Sequence, residues 1–366
     1  MRREHFLAVC TLFLYAGTLI SKHWLSPQEI PLILLFSIIS FSVSLLALGS
    51  RHLLIQKIGI VGFLLIFLTI GATNYQYKGF EKLFPNDNNT SPLKERIEEE
   101  RENFSNYLDS LYHPYTGEQS IAIVKALSFD YKNELHSHTW EIFKKSGALH
   151  LLALSGMHLG IIYGILRTLL SIFGNYLYVR KFRSLIIIAS IWGYTIFTGG
   201  AISLLRASVM TSIYEGAMIF SRERNGLNAL SISAIIIILV WPAESCNAGF
   251  QLSYGAMLGI FLVFPVVRTI VNPKWKLLKY LWESISFSLS CSIFTTPILL
   301  LHFGDIAHFW LLTNLLCSPL TTLAMVLIPT SIVAALLLPF ATNFINFLLF
   351  KTIEMLIFIN EIISLI

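Results

Sequence analysis

Charge is what this sequence has least of. Only 13% of its 366 residues are Asp, Glu, Lys or Arg, while 55% are hydrophobic; the charged share is about half that of an ordinary soluble domain. This balance excludes a chain that presents most of its surface to water. Cysteine is sparse too. Cys10, Cys246, Cys291 and Cys317 stand far apart, so neither a paired zinc or redox spacing nor a dense disulfide framework is present, and the four read as small apolar side chains. There is no Walker-type Gly-rich phosphate loop, so any transport force has to come from a partner. No His-rich metal motif occurs, and no cofactor or metal is indicated. Behind Arg2 and Arg3 no small-residue cleavage site interrupts the apolar stretch, so the first hydrophobic segment reads as an uncleaved span.

What the sequence has in abundance is long apolar runs with few interior charges, many of them about 18 residues or more, the length that crosses roughly 30 Å of hydrocarbon. Three come first, at residues 6–21, 31–49 and 54–75. Residues 76–147 then hold most of the acidic groups, including Glu95, Glu98, Glu99, Glu100 and Glu102. Within them Leu93, Ile97, Phe104, Tyr107, Leu108 and Leu111 recur at helical spacing, which predicts an amphipathic helix on the membrane surface or against the bundle. Apolar runs resume at 148–172, 184–198, 203–221, 227–241, 249–268, 281–301, 309–339 and 343–365. The run at 309–339 is expected to hold more than one segment, because Pro319, Pro329 and Pro339 interrupt it. The fold class that follows is all-α: a polytopic membrane helix bundle of about 10 to 12 spans with broken helices, plus an amphipathic surface helix. Its expected domains are N-terminal transmembrane helices (1–75), an extracytoplasmic loop with amphipathic helices (76–147), and a transmembrane channel-type domain (148–366).

Lys and Arg set the orientation. Arg2 and Arg3, Arg51 and Lys57, Arg180 to Arg183, Arg222 with Arg224, and Arg268 to Lys279 all fall on one side if the spans alternate. The positive-inside rule makes that side the cytoplasm, with the N-terminus inside and the acidic loop outside. The net charge of +5 needs no nucleic acid to explain it.

Four polar constellations interrupt the apolar sequence. The first runs from Gly147 to Gly160 and contains His150, Ser155, Gly156 and His158; read as one helix, it places Ser155 and His158 on one face with His150 about two turns earlier. The bland alternative is a packing seam of small residues with interhelical hydrogen bonds. In the second, Gly199-Gly200 breaks the helix and Arg206 follows at membrane depth, where an unpaired charge costs about 2.5 to 3.5 kcal/mol. It lines a polar cavity or snorkels to the headgroups. The third holds Phe250, Gln251, Ser253 and Tyr254 behind Pro242. The fourth comprises Pro297, His302, Asp305, Asn314 and Pro319.

In this order, His150-Leu-Leu-Ala-Leu-Ser155-Gly156-Met-His158, Leu204-Leu-Arg206-Ala207, Gly249-Phe250-Gln251-Leu-Ser253, Pro297 to Gly304 and Asn314 to Pro319 resemble the competence domain of the ComEC DNA-uptake channel family over residues 93–340. The resemblance implies a channel in the bacterial inner membrane that passes single-stranded DNA to the cytoplasm during natural transformation. It also implies a cytosolic helicase-like ATPase as motor and an external DNA receptor as partners. Fuller members carry an OB-like domain in the first outer loop and a metallo-β-lactamase-like domain after the helices. Residues 76–92 are too few for the first and no metal motif marks the second, so a separate nuclease is expected.

A strand carrying one phosphate charge per nucleotide needs a water-filled, sparsely cationic path, because tight phosphate sites would stop conduction. His158, Ser155, Arg206, Gln251 and Asn314 are expected to face that path, Phe250 and Tyr254 to stack on bases, and the breaks at Gly199-Gly200 and Pro297 to shape it. No catalysis is expected. One rival is a transporter of another cargo or a structural membrane protein. The other is an intramembrane hydrolase, since Ala153-Leu154-Ser155-Gly156 loosely resembles the Gly-x-Ser-Gly of rhomboid proteases; it lacks the leading Gly, and its nearest His lies on the same helix.

Overall fold

A computed structural model of the chain describes residues 3–24, 53–76, 92–174, 176–304 and 309–365. Among the described residues there is no strand. The helices of eight or more residues among the described residues are, in chain order, α1 Arg3–Trp24, α2 Leu53–Gln76, α3 Pro92–Tyr112, α4 Glu118–Phe129, α5 Ser137–Lys145, α6 Gly156–Leu169, α7 Leu177–Phe197, α8 Ile202–Ile219, α9 Gly226–Val240, α10 Ala248–Leu258, α11 Lys276–Phe303, α12 Trp310–Leu337 and α13 Pro339–Leu365. The apolar run at 31–49, the Pro85 to Asn89 loop and Asp305 lie outside the described residues.

Among the described residues four helical stretches are long and apolar enough to cross a membrane: Gly156–Phe173, Ala248–Val267, Lys276–Phe303 and Trp310–Leu337. Shorter apolar helices cover Leu7–Lys22, Leu64–Tyr75 and Gly226–Val240. Together they make an all-helical bundle of the membrane type, in which internally satisfied backbone hydrogen bonds let helices face hydrocarbon.

The prolines do not divide the 309–339 run. α12 is one helix through Pro319 and Pro329, and only Pro339 ends the stretch by opening α13. Near the prolines three threonines bond back one turn within the helix: Thr321 donates to the Cys317 carbonyl (2.9 Å), Thr322 to Ser318 (2.8 Å) and Thr330 to Val326 (2.6 Å). α11 likewise continues through Pro297, which is therefore no backbone break.

The residues fall into two compact units. The first comprises residues 1–88 and 224–257. In it α1 and α2 cross so closely that a Cβ on Gly17 would sit 1.9 Å from the Leu68 carbonyl oxygen, and one on Gly71 2.0 Å from that of Leu14. Asn74 Nδ2 ties α2 to α9 by donating to the Ile238 carbonyl at 3.0 Å. Asn225 starts α9, its Oδ1 accepting from the Asn228 backbone N–H at 2.9 Å.

The second unit comprises residues 89–223 and 258–366. The amphipathic pattern forms α3, which buries Leu108 and Tyr112 completely in a core shared with α4, α12 and α13. Tyr112 meets Phe350 edge-on at 5.2 Å, and the Tyr115 hydroxyl donates to Asn343 Oδ1. α4 is almost wholly buried, including Lys125, whose Nζ lies 2.8 Å from Asp109 and 2.7 Å from Glu134. A buried ammonium is tolerable only when paired in this way. Three cross-links run in step along the antiparallel pair α7 and α8. Thr195 meets Ser208 at 2.6 Å, Trp192 Nε1 donates to Ser212 at 2.9 Å, and the Ser184 hydroxyl donates to Glu215 at 2.6 Å.

Candidate functional site

The first constellation folds differently from a single helix. Leu149–Leu152 is one isolated turn, Ala153 and Ser155 are extended, and α6 begins at Gly156. Ser155 is the N-cap: its Oγ accepts from the Met157 backbone N–H at 3.3 Å, and His158 Nδ1 accepts from the Ser155 backbone N–H at 3.3 Å. This reciprocal arrangement is a capping box with His in the place of the usual Glu. Because Nδ1 accepts a backbone N–H, the neutral ring carries its proton on Nε2. Nε2 is buried without a well-formed hydrogen bond, beside the backbone of Leu151. Ser155 Oγ stands 3.0 Å from Nδ1. That distance is within a nucleophile's reach of its base, but the cap already engages both groups.

His150 lies before the break, not on the helix of His158. It is exposed, with Nδ1 2.9 Å from the Gly147 carbonyl oxygen and its ring beside the Asn314 side chain of α12. Thr313, next to Asn314, donates to the Ser146 carbonyl at 2.7 Å, so α12 is stitched to the residues leading into this corner.

α8 closes another side. Gly199 and Gly200 both adopt positive φ, 82° and 69°, a conformation that costs a glycine little and ends α7 abruptly. After this turn Ser203 donates to the Leu154 carbonyl at 2.7 Å, and a Cβ on Gly156 would meet Ala207 at an ordinary 3.6 Å. Arg206, between them on the first turns of α8, is buried.

Asp130 and its neighbours had no forerunner among the polar constellations of the sequence. At the end of α4 Asp130 takes the left-handed conformation (φ 61°), accepts the Leu154 backbone N–H at 3.3 Å and pairs with Lys132 at 2.6 Å. Both charges act electrostatically on His158. Arg101 reaches the same region from α3, donating to the Phe129 carbonyl at 3.2 Å. Glu215 was not singled out either: a fully buried carboxylate in α8 that accepts from Tyr163 (2.6 Å) and Ser184 (2.6 Å), with Arg167 donating to Tyr163 at 2.9 Å. The one signal for it in sequence was an acid inside an apolar run.

The second unit thus brings Ser155, Gly156, His158 and the first turns of α8 together, and sets His150 beside Asn314. Pro297, in the same unit, sits within α11. Phe250, Gln251 and Ser253 belong to the first unit. There Phe250 is buried between Tyr15 (6.0 Å) and Tyr254 (4.3 Å), Gln251 donates to the Cys246 carbonyl at 3.4 Å, and Ser253 is half-buried. No group of three or more His, Cys, Asp or Glu able to hold a metal ion occurs among the described residues.

The family model described as "Competence protein" matches residues 127–365. The chain is 28% identical over 269 residues to ComE operon protein 3 of Bacillus subtilis, covering 72% of this chain and 32% of that protein. It is 22% identical over 213 residues to Recombination protein 2 of Haemophilus influenzae, covering 55% of this chain and 27% of that one. The chain therefore spans about a third or less of the length of these relatives. No solved structure matches it.

Proposed function

The chain belongs to the competence protein family of ComEC type, and from that premise we propose that it is the membrane channel through which single-stranded DNA enters the cytoplasm during natural transformation. One observation carries this reading. The family match covers the part of the chain in which Ser155, His158, Asp130, Lys132 and the first turns of α8 with Arg206 gather at a break between helices. Irregular backbone at membrane depth is tolerated where it lines a water-filled cavity, and sparse cations with scattered hydroxyls offer phosphates contact without trapping them. His150 and Asn314 extend the polar lining within this unit. Gln251 and Ser253 remain candidates within the first.

The proposed protein crosses the bacterial inner membrane about 10 to 12 times, N-terminus inside, with α3 to α5 on the outer side. It binds lipid around its circumference and draws on an external DNA receptor and a cytosolic helicase-like ATPase. It is a conduit and not an enzyme, with Ser155 and His158 held as a helix cap.

The test is uptake of labelled DNA in the source organism carrying Arg206→Ala or His158→Ala, with membrane insertion of each variant measured in parallel. Internalised strand is expected to fall about tenfold, the equivalent of one charged contact of about 1.4 kcal/mol, while surface-bound DNA and protein level hold. Unchanged uptake in both variants overturns the reading and favours a ComEC-type scaffold with another cargo.

A further inference from the structure

Between the candidate spans Ala248–Val267 and Lys276–Phe303 the chain has only residues 268–275 in which to turn. A connection so short, pinned to two span ends, lies at headgroup depth if the bundle crosses a membrane, the one part of the proposed function on which this inference rests. From Arg268 to Tyr280 it is exposed almost throughout and carries Arg268, Lys274, Lys276 and Lys279 with no acid before Glu283. None of the four cations pairs with a carboxylate among the described residues. Between them stand Ile270 (70% exposed), Trp275 (75%) and Leu277 (68%). The loop is closed on itself: Trp282 Nε1 donates to the Arg268 carbonyl at 3.2 Å, and the Arg268 guanidinium lies 5.7 Å from the centre of the Phe264 ring.

Cations interleaved with bare aliphatic and indole side chains suit one kind of partner. Water would reject Ile270 and Leu277, and a nucleic acid has no use for aliphatic side chains between its phosphate contacts. A bilayer surface takes both, the apolar groups entering the acyl boundary and the lysines meeting headgroups. We propose that residues 268–280 form a binding strip for anionic phospholipid headgroups, with Lys274, Lys276 and Lys279 as the phosphate contacts and Trp275 as the interfacial anchor.

The test is native mass spectrometry of the purified full chain titrated with phosphatidylglycerol or phosphatidylcholine. The wild type is expected to retain phosphatidylglycerol preferentially. That preference should fall about fivefold for each lysine removed in Lys276→Gln and in the triple K274Q/K276Q/K279Q variant, and survive in K274R/K276R/K279R, with helical content unchanged. Equal retention of both lipids by the wild type, or an undiminished preference in the triple Gln variant, overturns the proposal. So does a triple Gln variant that loses only binding of a single-stranded oligonucleotide. DNA uptake is read separately through Arg206 and His158, so failure here leaves the channel reading standing, and the reverse.

Discussion

Ser155 carries more of the local architecture than its size suggests, since one hydroxyl and one imidazole end an extended segment and begin α6. Ser155→Ala is expected to cost about 1 kcal/mol, read as a lower midpoint for thermal unfolding of the detergent-solubilised chain. Gly156→Ala is expected to be nearly neutral, because its Cβ has an ordinary contact waiting at Ala207. That Ser155 and His158 act together was legible from their spacing of three residues. That they act as a cap was not: the sequence reading ran one helix from residue 148, and the break that makes Ser155 an N-cap comes from Asp130 accepting the Leu154 N–H and Ser203 reaching the Leu154 carbonyl. Those are contacts between residues 24 and 49 positions apart, and no periodicity within one segment reports them. Phe250 teaches a related lesson. An aromatic in an apolar sequence offers the same signal whether it faces a passage or, as here, fills a core beside Leu14 and Ile238.

At the scale of elements, apolar run length located helices well, and α7, α8, α9 and α13 lie close to the runs that announced them. Proline misled. Its cost in a helix is real, yet long helices packed in a bundle run on through it, as α12 and α11 do. Glycine spoke more quietly than it should have. Gly17 and Gly71 carry no sequence signature beyond being small, but each lies where the other helix's carbonyls leave no room for a Cβ. Gly71→Ala is expected to force α1 and α2 apart and weaken their association by about 1 to 3 kcal/mol, as overpacking does. Cysteine pairs placed across the two helices would report it as slower cross-linking; unchanged cross-linking would mean that the helices do not cross this closely.

For the whole molecule, the acidic stretch at 92–145 is more than a loop. α3 to α5 share a core with α12 and α13, and the buried Lys125 of α4 reaches two half-exposed carboxylates, Asp109 and Glu134. Composition could announce an aqueous segment; it could not announce that the segment folds against the bundle, because the apolar residues of α4 are too few to be distinguished from a short span. The orientation expected from Lys and Arg would put this layer outside. A membrane-impermeant thiol reagent applied to intact cells should therefore label a cysteine introduced at Glu100, and should label one introduced at Lys181 only after permeabilisation. The opposite pattern would invert the proposed topology.

The cross-links between α7 and α8 bear on how the protein is made. α8 holds both Arg206 and Glu215, and a charge left unpaired on a helix is costly to place in hydrocarbon. Glu215 finds a donor in Ser184, on the helix synthesised just before it, and a second in Tyr163, on the one before that. If α8 crosses the membrane as the proposed function requires, it enters most cheaply with α6 and α7 already beside it, and the order of the helices along the chain would then also be a schedule for their entry into the bilayer.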